Sequence, residues 1–391
     1  MMYNNCIIPC DSTGCHFYRI ASPYWAVRSM MRNVNFVETN KYVFTPEWYQ
    51  GFTMVEIQRH VHDFHTKVVM EFLKPISRDI GFHLVYNIDD VIISEDIPKW
   101  NLAYEAYNKP SFRNNLDQMM NACDFIVVTT EELKNYYHEK LNVPLSNFIV
   151  IPNYLPRWWV GEAYNINQIM QNFQKYYKRP KIGITSSITH FDIMNKNNGV
   201  DDFSVIIDFI KNTTKKYEWC FLGGIPPKLK EEAEQGKITV YNSSDILNFI
   251  RETHDKEFQV IVAPLDDCVF NRGKSNIKLL EGWALGIPVI AQNISTYNQY
   301  THRVFSNVNE LQNQLDQVLT SKEWFKKEVI QNRQLIDFGS KDIPGLTNGA
   351  WLEKNIGKWI RLFTMPQRTI TLDMDKIEKL KNNKQTPVGV L

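Results

Sequence analysis

The chain has 391 residues, 43% hydrophobic and 22% charged, which is room for two domains with full cores and an ordinary balance for a globular protein. Its 44 basic against 43 acidic residues exclude a strongly basic coat, so any nucleic acid has to be met by a local groove. No apolar stretch approaches a membrane span and the first residues lack the charged and apolar regions of a leader. With six scattered cysteines that read as free thiols, this sets the expectation of a cytoplasmic protein with no membrane partner.

In chain order, strand-like apolar runs fall near 4–9, 34–39, 54–59, 83–88, 125–130 and 148–152, with helix-like patterns between most of them. Such alternation is the mark of a doubly wound α/β sheet. Cys6, Cys10 and Cys15 fit no common zinc spacing, and no metal site is expected from them. After the first run comes Asp11-Ser-Thr-Gly14-Cys-His16-Phe-Tyr-Arg19, where the glycine lets backbone approach a ligand and Asp11, His16 and Arg19 offer polar groups at a strand's carboxyl end. Ser22-Pro23 reads as a helix cap and first-turn pair, as does Thr130 ahead of two glutamates. Arg59-His60-Val-His62-Asp-Phe-His65 puts three histidines past the third run without the His-Glu-x-x-His pattern of a metallohydrolase, and one of them, with His65 the candidate, is expected to face the cleft. Tyr86-Asn-Ile-Asp89-Asp90 closes the fourth run with paired acids that can hold a cation, act as a base or cap the next turn.

The first domain is expected over 1–175, with a linker at 153–180 holding Arg157-Trp158-Trp and a polar helix-like 165–177. From 157 to 181 there are five basic residues and one acidic, and from 351 to 391 eight and four. Lysine and arginine neutralise phosphates while aromatics receive an extruded base, so Arg157 and Trp158 are acceptor-side candidates; a solvated linker that packs tryptophans between domains is the competing reading.

A second strand series, at Lys181-Ile-Gly-Ile, Trp219-Cys-Phe-Leu, Ile238-Thr-Val-Tyr, 258–263 and 288–291, makes a second domain over 176–345. Its turns carry Ser186-Ser187-Ile-Thr-His190 and Gly223-Gly224-Ile-Pro-Pro. The densest stretch follows Pro264. The loop supplies Lys274, Ser275, Asn276 and Lys278, and the helix behind it carries Ile277, Leu280 and Ala284 at core-facing spacing. Unpaired N–H groups at a helix start, with the helix dipole and two lysines, favour a phosphate or diphosphate. Finally Leu352, Ile356, Trp359, Ile360 and Phe363 give a helix at 346–372 one strongly apolar face that needs a partner, ahead of a polar tail at 373–391 expected to be loosely held.

Lys274-Ser-x-Ile-Lys278-x-Leu-Glu281-x-x-Ala-x-Gly-x-Pro-Val resembles the donor-site signature of GT-B glycosyltransferases, in particular the branch similar to family 4 retaining enzymes. The resemblance implies an α/β fold of two Rossmann-like domains facing a cleft, with the C-terminal helix crossing back to the first. It implies that Glu281 bonds the ribose of a nucleotide sugar and that the helix start takes the diphosphate. The usual motif has a second glutamate eight residues earlier, where this chain has Gly273, so contact to the transferred sugar must come from elsewhere. The Gly14 loop is similar to the first cleft loop of these enzymes and the Ser186–Ser187 turn to the first donor-domain loop. Gly223 and Gly224 match the turn that receives the base. The lysine and arginine usual after the first donor-domain loop have no clean counterpart, and Lys274 or Lys278 can substitute.

A glycosyltransferase using a nucleotide-diphosphate sugar, of the UDP type, is the function implied. No cofactor is required; a divalent cation is allowed by the Asp89–Asp90 pair but not expected. If the reaction inverts configuration, Asp11, His16, His65 and Asp89 are the candidate bases. Asp11-x-Thr-Gly-x-x-x-Tyr-Arg19 and the Asp89–Asp90 segment look like glycosyltransferases of tailed bacteriophages that modify 5-hydroxymethylcytosine in DNA with glucose or arabinose. DNA is therefore the acceptor expected, in the host cytoplasm if a phage encodes the chain, with Arg19, Asp90, Arg157 and Trp158 on the acceptor side. A saccharide- or lipid-linked acceptor, or a non-catalytic nucleotide-sugar or DNA-binding protein of the same fold, shares the donor motif.

Overall fold

The computed structural model describes residues 1–242 and 245–369; the polar tail expected at 373–391 lies outside them. The first sheet holds β1 (Tyr3–Ile8), β2 (Val34–Glu38), β3 (Met54–Gln58), β4 (His83–Asn87), β5 (Phe125–Val128) and β6 (Phe148–Val150), and the second holds β7 (Lys181–Ser186), β8 (Glu218–Gly223), β9 (Thr239–Tyr241), β10 (Val260–Ala263), β11 (Val289–Gln292) and β12 (Val304–Phe305). Every pairing is parallel. Parallel strands need helical crossovers that cover both faces, which is why central strands such as β5 and β10 are continuously apolar, while the edge strands β2 and β9 are only partly buried.

The strand orders are β2-β1-β3-β4-β5-β6 and β12-β11-β10-β7-β8-β9. In each, chain direction along the sheet reverses once, between β1 and β3 and between β7 and β10. At such a switch point the flanking loops diverge and leave a crevice outside the carboxyl ends of the strands. The two crevices are lined by the loops after β1 and β3, and after β7 and β10.

Four helices help to frame the two sheets: α1 (Ser22–Met30), α2 (Ile277–Ala284), which lines the cleft, α3 (Lys322–Phe338) and α4 (Gly357–Phe363). Ser22 does not cap α1, contrary to the sequence reading. The chain is already helical from Gly14, passes through a wide π-turn at Phe17–Ala21, and Ser22 Oγ donates back to the Phe17 carbonyl at 2.8 Å. Thr130 does cap its helix, accepting from the Leu133 N–H at 3.1 Å.

The C-terminal apolar face does return to the first domain, but on two short helices, Leu352–Asn355 and Gly357–Phe363, rather than on one continuous helix. Leu352, Ile356, Trp359, Leu362 and Phe363 join Ile7, Ile20, Tyr24, Val27 and Val85 in one core cluster of the first domain. Arg19 lies over the Trp359 ring at 5.1 Å, and Asn5 Nδ2 donates to the Phe363 carbonyl at 3.2 Å. The two chain crossings run side by side: Leu155 N–H donates to the Ala350 carbonyl and Leu352 N–H to the Leu155 carbonyl, both at 2.9 Å.

Candidate functional site

One cavity of about 640 Å³ lies where the two crevices face each other. Its floor joins the domains. Tyr18, from the π-turn after β1, donates to Glu281 of α2 at 2.6 Å, and Asn153 Nδ2 donates to Ser275 Oγ at 3.0 Å. Lys274 Nζ stands 3.8 Å from Asp90 across the same gap and over the Phe270 ring at 4.5 Å.

The donor side is built by β7, β10 and α2. Ser186 ends β7, and Ser187 follows it into a short turn closed by His190. Gly223 ends β8 at a φ of +114°, and a Cβ there would sit 2.5 Å from the Ser186 carbonyl oxygen, so only glycine keeps the two strand ends this close. Lys278 rises from the first turn of α2 and bonds the Thr185 carbonyl. Burial pushes its ammonium below the ordinary lysine value, opposed by Glu281 and reinforced by Lys274. Glu281 is 8% exposed; burial raises its carboxyl, while Lys278 and the Tyr18 hydroxyl pull it down. Two partly buried cations and a buried carboxylate around an open volume suit a ligand that carries several negative charges and vicinal hydroxyls.

Of the donor candidates, Gly14, Ser186, Ser187, Gly223, Lys274, Ser275, Lys278 and Glu281 all line the cavity. Asn276 sits at the N-terminal boundary of α2, and Gly224 packs under Phe191 and Ile188; neither is among the lining residues.

The acceptor side is organised by Arg59, which the sequence reading did not single out. It follows β3 in a left-handed conformation, φ 49°, and reaches Asp11 at 2.5 Å, Asp89 at 3.3 Å and Asp90 at 3.3 Å. Burial raises the Asp11 carboxyl, but Arg59 and the Thr13 donors overcome it and bring it down to about 2. That makes Asp11 a tethered anion and a weak base. Burial raises Asp89, with Arg59 opposing, so Asp89 is a stronger proton acceptor than Asp11, and it lines the cavity with Asp90. Cys15 Sγ and the Asp89 and Asp90 carboxylates converge within 4.8 Å. As a cation site this cluster fits poorly, because Arg59 and Lys274 already bring positive charge against the acids and burial keeps the Cys15 thiol protonated.

The remaining candidates lie elsewhere. His16 pairs with Glu38 at 3.2 Å. His65 stacks on His60 with ring centroids 4.2 Å apart and also packs on Tyr42, while His60 bonds Tyr42 and the Pro9 carbonyl. None of these histidines lines the cavity. Arg19 is fully buried and holds Asn87, Asn153 and the Ile151 carbonyl, a brace beneath the cleft floor. Trp158 is half-exposed beside Phe17 and Trp25, and Arg157 covers the Trp351 ring.

Tyr18, Arg59, Asn153 and His190 are cavity residues that the sequence reading did not single out as site residues. Tyr18, Arg59 and His190 stand inside stretches that looked functional; the partners of Tyr18 and Arg59 lie far away in sequence, while Asp202, the partner of His190, follows it by 12 residues within no recognised motif.

No protein-family model matches the sequence, and none of the curated proteins matches it. Solved structures do. A glycosyltransferase from Rickettsia africae matches with a TM-score of 0.60 at 14% identity, over 93% of this chain and 98% of that one. HepE of Anabaena in complex with UDP and glucose gives 0.60 at 11% identity, over 93% and 100%. An alpha-glucosyltransferase in complex with UDP-glucose and DNA containing an abasic site gives 0.55 at 10% identity, over 93% and 100%. With two six-stranded parallel sheets facing one cleft, the fold is that of the GT-B glycosyltransferases.

Proposed function

We propose that this protein is a glycosyltransferase that binds a nucleotide-diphosphate sugar of the UDP type and moves the sugar to a hydroxyl acceptor. The observation that carries this reading is the convergence of Lys274, Lys278, Glu281, Ser186 and Ser187 on one cavity at the switch points of both sheets. The cavity's volume suits a ligand of that size. Glu281 takes the ribose hydroxyls, and the lysines take the diphosphate. UDP or UDP-glucose in the HepE and alpha-glucosyltransferase structures supports the same donor class.

The difficult step is departure of the nucleoside diphosphate. As the bond from the sugar to the phosphate oxygen breaks, its electron pair stays on that oxygen and negative charge grows there. Lys274, Lys278 and the Ser186, Ser187 and Ser275 hydroxyls meet the charge without having to reorganise. These cations carry the load that a divalent ion carries in other designs. On the opposite wall Asp89 and Asp90 face the acceptor, and Asp89 is placed to accept a proton from its hydroxyl.

For the acceptor we favour a hydroxymethylated base in DNA, 5-hydroxymethylcytosine, receiving glucose or arabinose. The support is the DNA in the alpha-glucosyltransferase structure and the exposed Trp25–Trp158 pair, centroids 5.5 Å apart, packed on Phe17 next to cavity residue Tyr18. One observation favours a saccharide- or lipid-linked hydroxyl instead. Three of the five basic residues of the 157–181 stretch already have partners within the protein, Lys175 on Glu257 at 2.8 Å, Lys181 on Glu218 at 3.9 Å and Arg179 on the Thr214 carbonyl at 3.1 Å, which leaves fewer of them for phosphates. Incubation with a panel of nucleotide sugars, read by mass change of hydroxymethylcytosine duplex and of simple glycans, separates the readings. Sugar added to duplex at a rate that falls with salt supports DNA. Salt-independent addition to a glycan supports the second acceptor, and no transfer from any donor contradicts the transferase.

A further inference from the structure

His190 is built into the donor side in a way the donor motif does not account for. It closes the short turn Ile188–His190 just after β7, with its Nδ1 2.7 Å from Asp202 Oδ2. Asp202 is 2% exposed, and its other oxygen accepts from the Asp266 N–H at 2.9 Å and from Asn271 Nδ2 at 2.7 Å. Both carboxylate oxygens are therefore acceptors, so the imidazole proton sits on Nδ1 and Nε2 is the nitrogen left for the cavity that His190 lines. A carboxylate fixed by a backbone N–H and a buried amide, holding a histidine ring at the edge of an anion site, sets the tautomer and the aim of that ring.

The charges facing His190 are Asp202 behind it and Lys274 and Lys278 across the cavity, with Asp90 beside Lys274 and Glu281 beside Lys278. In the free protein burial pushes the ring below the ordinary histidine value; Asp202 opposes this, and the two lysines add to it. A diphosphate placed between the lysines cancels their repulsion and adds attraction, which favours the charged ring.

We propose that His190, oriented by Asp202, takes up a proton when a diphosphate enters the cleft and donates a hydrogen bond to it from Nε2, supplying a cation on this wall of the cavity, since Lys196 of the same loop pairs with Glu105 and does not line it. This rests on the donor reading above. The proton comes from solvent. When the sugar leaves, the electron pair of the broken bond stays on the phosphate oxygen, the imidazolium shares the charge, and the proton returns to water or departs with the nucleotide. Asp202 is a positioning residue.

Calorimetric titration of UDP, and separately of inorganic pyrophosphate, in two buffers of different ionisation enthalpy counts the protons taken up, at several values between pH 6 and 8.5. Phosphate groups titrate near about 6 themselves, so the readout is the difference between the wild type and His190→Gln. Glutamine keeps a neutral donor near the Nε2 position. The wild type should take up as much as about one further proton per ligand, and His190→Gln should lose that part while binding about tenfold more weakly, the size of one charge-assisted bond. Asp202→Asn, with its fold checked by thermal melting, should move the uptake midpoint to lower pH. Pyrophosphate binding with the uptake, but no UDP binding, would keep the His190 role and sink the nucleotide reading. Uptake unchanged in His190→Gln would overturn the proposal and leave the donor reading standing. If neither ligand binds, both are overturned.

Discussion

Glu281 is held by a hydroxyl from the other domain, Tyr18 at 2.6 Å, and that bond has a measurable consequence. Burial raises the Glu281 carboxyl above its ordinary value, and Lys278 and Tyr18 limit the rise. Tyr18→Phe keeps the packing and removes one donor, so the acid should protonate at higher pH and stop accepting ribose hydroxyls there. UDP affinity in Tyr18→Phe should be weaker by about 1 kcal/mol, with the loss growing as pH falls. A pH-independent affinity equal to wild type would contradict the role of Glu281. Lys278 makes a different prediction. If it meets charge that grows as the bond breaks, Lys278→Met should lower kcat more than it weakens donor binding. Equal affinity and turnover would show the lysine to be a spectator. Lys274, Lys278 and Glu281 were readable because their spacing and their place after a strand form a local motif. Tyr18 was not readable as a partner, since 263 residues separate it from Glu281. Arg59 acquires meaning only when β1, β3 and β4 bring Asp11, Asp89 and Asp90 around it.

At the scale of elements, apolar-rich runs located eleven strands to within a few residues, because a parallel strand covered on both faces buries apolar residues on both. The twelfth, Val304–Phe305, is two residues long and leaves no period to read. Ser22 misled for a related reason: cap chemistry is local, while the π-turn before it is imposed by packing Phe17, Tyr18 and Arg19 inward together. The C-terminal apolar face was legible from its spacing, and it points to a strong test. Trp359 is 1% exposed, stacks on Phe363 with centroids 5.4 Å apart and carries Arg19 on its other contacts. Trp359→Ala should destabilise the protein by about 3–5 kcal/mol in urea unfolding, the cost of an emptied aromatic site. A loss below about 1 kcal/mol would mean that the crossover contributes little to the first domain.

For the whole molecule, the break between the two strand series falls between the two sheets, and the cleft between them was an expectation of the resemblance alone, with no local pattern to show which residues hold it. That arrangement is set by the paired crossings at Leu155 and Leu352 and by contacts over the cleft, Tyr18 to Glu281, Asn153 to Ser275 and Lys196 to Glu105. Global stability should depend on pH through the histidines outside the cleft. Burial lowers His60 from 6.5 to about 4, and burial followed by His62 does the same for His65. A histidine with a depressed folded value binds protons more readily when unfolded, so its contribution is complete above pH 6.5 and is lost as pH falls toward about 4. The urea midpoint should therefore drop between pH 7 and pH 5, and His60→Gln should flatten the drop; a midpoint that rises over that interval would contradict it.

The most direct test of the donor site is a crystal structure with UDP bound. The ribose hydroxyls should lie within hydrogen-bond distance of Glu281, and the diphosphate should lie between Lys274 and Lys278 at the start of α2. A nucleotide bound outside this cavity, or one with its ribose away from Glu281 and its phosphates away from both lysines, would contradict the assignment.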